Sequence, residues 1–434
     1  MVLLMQRESC KILASSVDPW SDNIGSDTLT SLLSIYDSSN IASINIRAKR
    51  SDSKVAGSYF HIIEGRVIKS VFSSSVKTGE SYCVDDNSCE TVESDVNNEI
   101  KLYTRKYRIN RWLLVLAREF LWKLGKWQSK ELDEFVDSFN PDVLFFPIES
   151  YIHFNRINTY IINKYKPNRV VGYMWDDNFS FKQHPYNPLY LLHRFWLRKS
   201  VKHLIHKCDV VFAISPMMKS ELDREYGIDS VLLTKPVRSY SLPTYSKPQY
   251  PIKIIYTGKL GIGRDKTIAE LVNAIKIVNA YETKIVLDLY TGSPIDPKLR
   301  RIIDSPGNCN INGFIPQSQV FELQQEADIL LFVESMNNND LSARLSFSTK
   351  ITDYLSFGKC IWAIGNNGLA PIDYLREEDA ALVSCSKETI VSQLQRIIRN
   401  PSLISEYALK SYRCGVRNHS KVQIHEKFMK AING

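Results

Sequence analysis

The sequence has no apolar run of the roughly 18–20 residues that a membrane-spanning helix requires. The nearest approaches are Trp112–Trp122, interrupted by Arg118 and Glu119, and Val143–Ile148, which is too short. The opening MVLLMQRESC lacks a basic stretch followed by a sustained apolar one, so it does not read as a secretion signal. A cytoplasmic chain is the expectation. No Cys-x-x-Cys pair occurs among Cys10, Cys83, Cys89, Cys208, Cys309, Cys360, Cys385 and Cys414, so these read as reduced, mostly buried thiols. No internal repeat, no metal-ligand spacing and no nucleic-acid-binding motif is present. What is present is an ordinary globular balance. Of 434 residues, 44% are hydrophobic and 24% charged, and 22 Tyr argue against a disordered or fibrous chain. At about 150 residues per domain the length fits two or three domains.

The net charge of +8 is unevenly placed. Residues 101–130 hold nine Lys and Arg against one acid, Glu119, an excess equal to that of the whole chain. Just upstream, 73–100 holds seven acids and one Lys. A second basic patch, His193–Lys207, has five Lys and Arg, three His and no acid. On a helical wheel the basic residues of 101–130, Lys106 excepted, fall in an arc of about 140°. Leu113, Leu116, Ala117, Phe120, Leu121, Leu124 and Trp127 fill the opposite side, while Trp112 and Trp122 sit with the basic arc. The wheel therefore predicts an apolar face toward the core and a basic face outward. That outward face is either simply solvated or a surface for anionic lipid, where each Lys or Arg contributes about 1 kcal/mol.

Short apolar, β-branched runs alternate with amphipathic stretches. The runs are Lys11–Ser15, Val143–Phe146, Arg169–Tyr173, Val210–Ile214, Lys253–Tyr256, Lys284–Tyr290, Ile329–Phe332 and Cys360–Ile364. Thr267–Ala280 is the clearest helix. The alternation predicts parallel sheets covered on both faces. Four Pro within 234–251 mark an interdomain linker. Residues 50–100, Ser-rich and acidic, read in part as a long loop or insertion, with 73–100 the inserted portion.

Four constellations suggest chemistry. In TGKLGIGRDKT, Gly258, Gly261 and Gly263 let the backbone approach a ligand, and Lys259, Arg264 and Lys266 add charge beside a helix start, which suits a diphosphate. The spacing is GxxGxG rather than the GxGxxG of dinucleotide folds. In FSTKITDYLSFGK, Ser348 is placed to cap a helix whose first turn holds Thr349 and Lys350, with Asp353 one turn on. In VVGYMWDDNFSF, Asp176 and Asp177 follow a strand, where open α/β sheets bind ligands. They suit the orientation of sugar hydroxyls or acceptance of a proton, or else one of them caps a helix. In AISPMMKSEL, Ser215 reads first as a cap before Pro216.

TGKLGIGRDK followed by STKITDYLSFGK resembles the donor half of GT-B glycosyltransferases, in particular the retaining, family 4-like (group 1) members that build bacterial surface polysaccharides. The resemblance covers most of 250–430. It aligns Lys259 and Arg264 with the family's two donor cations, each swapped for the other basic residue. It aligns Lys350 with the late segment's Lys and Asp353 with the Glu that binds the nucleotide ribose. Gly313 and Phe314 match the loop that touches the nucleobase. Many relatives carry a second Glu where this chain has Leu345, with Asn337–Asp340 nearby. Asp176 or Asp177 occupies the place of a pair facing the donor sugar, and Ser215 matches a Ser in the cleft. SSVDPWSDNIGSDTL matches the family's N-terminal glycine loop loosely, through Asn23, Gly25 and Ser26.

The resemblance implies an α/β GT-B fold: two Rossmann-like domains with parallel sheets facing across a cleft. The N-terminal, acceptor-side domain spans 1–240 and the nucleotide-sugar domain 250–415, with a helix in 416–434 packing back on the first. It implies a metal-independent transferase that takes a sugar from a nucleotide diphosphate sugar, with no other cofactor, to a glycan or lipid-linked acceptor with retention. Lys259, Arg264 and the N–H groups at 349 would stabilise the departing diphosphate. An anionic inner membrane surface is a further expected partner, and nucleic acid is not. Two alternatives use the same residues: a nucleotide-sugar 2-epimerase of the same fold, and an NAD-type Rossmann binding protein with Asp288 on the ribose.

Overall fold

The structure is a computed structural model that describes residues 10–434 apart from 23–27, 48, 74, 85–109, 185, 238–241, 244–248 and 342. Two compact units emerge. The first runs to Ile214 and adds Met218–Leu233 and His425–Gly434; the second is Ser215–Met217 with Thr234–Ile424. The change of unit thus falls at Leu233/Thr234, the start of the Pro-rich stretch, and the return falls at Ile424/His425.

The first unit is built on strands β1 (Ile12–Ser16), β2 (Ile41–Asn45), β3 (Ser58–Ile62), β4 (Gly79–Tyr82), β5 (Val143–Pro147), β6 (Arg169–Met174), β7 (Val210–Ala213) and β8 (Val231–Leu232). Their order is β4-β3-β2-β1-β5-β6-β7-β8, parallel except for β4 against β3. The second unit holds β9 (Ile252–Thr257), β10 (Ile285–Tyr290), β11 (Cys309–Gly313), β12 (Ile329–Val333), β13 (Cys360–Ile364) and β14 (Leu382–Ser384). Its order is β11-β10-β9-β12-β13-β14, parallel throughout. In each sheet the order reverses beside the unit's first strand, which opens a crevice at the strand carboxyl ends.

All eight runs singled out in the sequence are strands. Six others are not apparent there because their apolar runs are short or interrupted by polar residues. The segment 50–82 is not a loop: β3, a helix at Glu64–Lys69 and β4 occupy it. Its tyrosines serve as polar struts. Tyr59 donates to the Ser53 carbonyl at 2.6 Å, and the Ser51 N–H donates to the Tyr82 hydroxyl at 2.7 Å. Gly79 is required by close packing, since a Cβ there would sit 2.5 Å from the Phe60 ring.

The wheel over 101–130 requires correction. Within the described residues the helix is Arg111–Leu124, ended at Gly125, and a separate helix starts at Lys130. Lys101, Arg105, Lys106 and Arg108 lie outside the described residues. The centre of the basic arc faces inward. Arg118 Nε and Nη2 donate to the two Glu64 oxygens at 2.5 and 2.7 Å, and Trp122 Nε1 donates to the same carboxylate at 2.7 Å. Glu119 accepts the N–H groups of Ile152 and His153 at 3.1 and 2.9 Å, capping from outside a helix (Ile152–Tyr165) that lacks a cap of its own. Leu113, Phe120 and Leu124 are left outside. The wheel treats charge as outward; the buried partner Glu64, some fifty residues away in sequence, reverses it. Among the described residues no helix is long and apolar enough to cross a membrane.

Candidate functional site

In the second unit, β9 runs into Gly258, whose φ is +137°, and then into exposed Lys259. The following helix, Arg264–Val278, starts behind Gly263 at φ +73°. Both glycines are also demanded sterically. A Cβ on Gly258 would lie 2.0 Å from Lys350 Nζ, and one on Gly263 would lie 2.5 Å from Ser335 Oγ. The Lys350 ammonium lies against Gly258 and over the Tyr256 ring, 4.7 Å from its centroid. Burial, reinforced by neighbouring Arg264, lowers its pKa to about 8 although Glu334 opposes the shift.

Arg264 is clamped. Its Nε donates to the Val333 carbonyl and to Glu334 Oε2, each at 3.1 Å, and its Nη2 donates to Glu334 Oε1 at 2.9 Å. Burial raises the Glu334 carboxyl above its ordinary range, and Arg264 only partly offsets this. The clamp fixes the guanidinium at the β9/β12 crevice. Glu334 carries no signal in a family motif, but it ends the apolar run ILLFV, the place where strand-end chemistry sits.

Ser348 has the backbone of a cap, yet its hydroxyl caps nothing, so the first-turn N–H groups of Thr349 and Lys350 take no side-chain cap. Asp353 is ion-paired at 2.8 Å with Lys235, a buried lysine absent from the sequence reading. Gly313 has φ +76°, and the Phe314 ring after it is exposed beside Gly292. Ser215 is fully buried and donates to the Leu345 carbonyl at 2.9 Å; Leu345 is itself core. Asn337 organises its own loop, accepting from Asn339 and Asp340 N–H groups at 3.1 and 2.9 Å.

In the first unit, Asp176 and Asp177 part company. Asp177 is buried and accepts the Ser180 N–H at 2.9 Å and the Ser180 hydroxyl, while Arg194 Nη1 donates to its carbonyl at 3.0 Å. Its carboxylate closes the turn. Asp176 is exposed and acts electrostatically on Glu149, which follows β5. Asp18, beyond β1, acts on the same carboxyl. Burial first, then these two carboxylates, push Glu149 up to about 8; Arg47 and the Ser150 N–H oppose this. Arg47 Nε pairs with Asp18 at 2.9 Å, and its Nη2 donates to the Tyr151 hydroxyl at 3.1 Å. Three adjacent strands, β1, β5 and β6, therefore deliver Asp18, Glu149 and Asp176 to one crevice. Glu149 and Asp18 were missed in the sequence, although each follows a buried strand. Asn23, Gly25 and Ser26 lie outside the described residues.

No family model matches the sequence, and no curated protein matches it. Solved structures do match in fold. Sucrose-phosphate synthase from Thermosynechococcus elongatus aligns at 12% identity over 98% of each chain, with a TM-score of 0.62. HepE of Anabaena, in complex with UDP and glucose, aligns at 9% identity over 98% of this chain and 99% of its own, with a TM-score of 0.61. TarM aligns at 9% identity over 100% of both chains, with a TM-score of 0.60. This chain spans 59% of the length of a mutant form of S. aureus TarM. The two parallel-sheet units have the GT-B glycosyltransferase fold.

Proposed function

We propose that the chain is a glycosyltransferase. It takes a sugar from a nucleotide diphosphate sugar, working from the cytoplasmic side, and passes it with retention to a glycan or lipid-linked acceptor of a bacterial surface polysaccharide. The observation that carries this reading is the crevice at β9 and β12. Lys350 fills the space that Gly258 leaves, near a clamped Arg264 that follows Gly263, with the uncapped helix start at Thr349 and the ribose-matched Asp353 on the same segment as Lys350. Fixed cations and N–H groups of this kind stabilise charge that builds on a departing diphosphate. The bond from the sugar's anomeric carbon to the diphosphate breaks. A bond to the acceptor oxygen forms on the same face, the diphosphate leaves with the bonding electron pair, and the acceptor's proton passes to the ionised Glu149 carboxylate.

Lys259, more exposed than Lys350, contributes a second phosphate contact. In the first unit Glu149 and Asp176 act on acceptor hydroxyls, while Asp177 holds the turn that presents Asp176. UDP is the first nucleotide to test, because HepE is solved with UDP and glucose. Calorimetry with UDP, GDP and NAD is the direct experiment. Binding of UDP or GDP that Lys350→Ala removes supports the reading, and stabilisation by NAD alone overturns it.

A further inference from the structure

The Arg111–Leu124 helix turns large apolar side chains to the outside. With Arg118, Glu119 and Trp122 drawn inward, Leu113, Phe120 and Leu124 are between 51% and 61% exposed. A second helix, Pro188–Ile205, repeats the pattern: Leu192, Phe195 and Trp196 are between 42% and 48% exposed. The two helices pack together through Trp112, whose ring lies 4.8 Å from Tyr190 and 5.7 Å from His193. Leu113 and Leu192 each follow or precede one of these contact residues in sequence, so both apolar stripes begin near the place where the helices meet.

Among the described residues, the two helices themselves expose charge of one sign, and Glu225 beside the second is paired with Arg198. The first helix contains a single acid, the buried Glu119, and the second contains none. Arg111, Lys123, Lys126, Lys199 and Lys202 are exposed, and among the described residues none of them is in an ion pair. Lys199 lies over Phe195, 4.6 Å from the ring centroid. Scattered apolar residues on a surface need no account, but six on two adjoining helices mark a contact face. Its cationic fringe selects the occupant. A second copy in a two-fold dimer would set this fringe against itself. An anionic bilayer surface accepts both the apolar side chains and the cations.

We propose that these two helices dock the protein on an anionic lipid leaflet, with Phe120, Leu124, Phe195 and Trp196 entering the headgroup boundary. The surface is apolar with a basic fringe, rather than the basic arc that the wheel suggests. Arg118, on the inner side of the same helix, stacks over Tyr151 at 5.0 Å, two residues from Glu149. Docking therefore brings the carboxylate crevice beside the lipid, which favours the lipid-linked one of the two acceptor classes proposed above; the docking itself does not rest on that function.

The test is sedimentation of the whole chain with vesicles of phosphatidylcholine, with or without phosphatidylglycerol. Binding only to the anionic vesicles, weakened by salt, is expected. The double variant Phe120→Ser/Trp196→Ser lowers partitioning by about tenfold or more. Lys123→Gln/Lys199→Gln also lowers it and flattens its salt dependence. UDP binding, measured in parallel, reports on the nucleotide site. Its loss with vesicle binding intact defeats the functional reading and leaves docking standing. Wild-type protein that stays in solution with anionic vesicles overturns the proposal. So does cosedimentation that the Ser pair leaves unchanged, or a dimer in analytical ultracentrifugation that the Ser pair dissolves.

Discussion

The two units share a sheet reversal beside their first strand, and both gather charge there, but with opposite sign. The crevice at β9/β12 collects Lys350, Arg264 and Lys259 with two acids, Glu334 and Asp340. The crevice at β1/β5 collects Asp18, Glu149 and Asp176 around one cation, Arg47. In each the minority charge is the clamp: Glu334 grips Arg264, and Arg47 ties Asp18 to Tyr151. Topology supplies the crevice, and the residue that follows each strand decides what enters it. Cations suit a diphosphate, and carboxylates suit sugar hydroxyls.

The largest expected effect separates the units. Arg118→Met leaves Glu64 buried without its ion-pair partner, a loss of about 3–5 kcal/mol. In urea the first unit then unfolds early while UDP binding by the second persists. Loss of both in one transition would show that the two crevices do not stand on separate units. Next, Lys350→Ala lowers kcat by about a thousandfold. Gly258→Ala acts in the same direction by displacing the ammonium without removing it, and full UDP affinity in that variant would break the assignment of the cationic crevice.

Glu149→Gln is expected to lower transfer by about a hundredfold if its carboxylate takes a proton in the reaction. The two crevices then make opposed demands on pH. Lys350 is charged below about 8 and Glu149 is ionised above about 8. Transfer therefore peaks near that pH. Lys350→Arg should remove the alkaline limb and Glu149→Gln the acid limb. Stability gives an independent check. With its folded pKa raised from 4.5 to about 8, Glu149 holds its proton more tightly when folded. Its contribution is fully present below the unfolded value and is lost as pH rises through the folded one. Chemical denaturation of Glu149→Gln against wild type should show a relative gain for the variant at alkaline pH. The smallest effect is that of Lys235→Met. Freeing Asp353 raises KM for the nucleotide sugar about tenfold with little change in kcat, and Lys235→Arg restores most of it.

The second unit was more legible than the first, for a physical reason. Its strands are long apolar runs, and its glycines and cations sit close together in sequence. Where the chemistry depends on distant partners, the sequence is silent. Nothing in TKPV announces that Lys235 meets Asp353 across more than a hundred residues. Nothing in IIEGR announces that Glu64 turns Arg118 inward. For the same reason β3 and β4 fall in a stretch that reads in part as loop: SYFHI and GESY mix apolar and polar residues, and the hydroxyls of Tyr59 and Tyr82 find their partners only after folding. Asp176 and Asp177 look alike in sequence and differ because one turn at Ser180 claims Asp177.

The helix Lys421–Asn433 carries the chain back to the unit in which it began. Phe428 lies 5.1 Å from Phe145 on the central strand β5 and 6.1 Å from Phe212 on β7, one strand in from the edge, and Arg169 Nε donates to the Ala431 carbonyl at 3.0 Å. During synthesis on a ribosome, the face of that sheet awaits a segment made almost two hundred residues later. At about 5–20 residues per second the wait is roughly 10–40 s. The second unit itself runs to Ile424, so it is not complete before that segment is made, and the open aromatic face of the first sheet is what a chaperone would hold meanwhile.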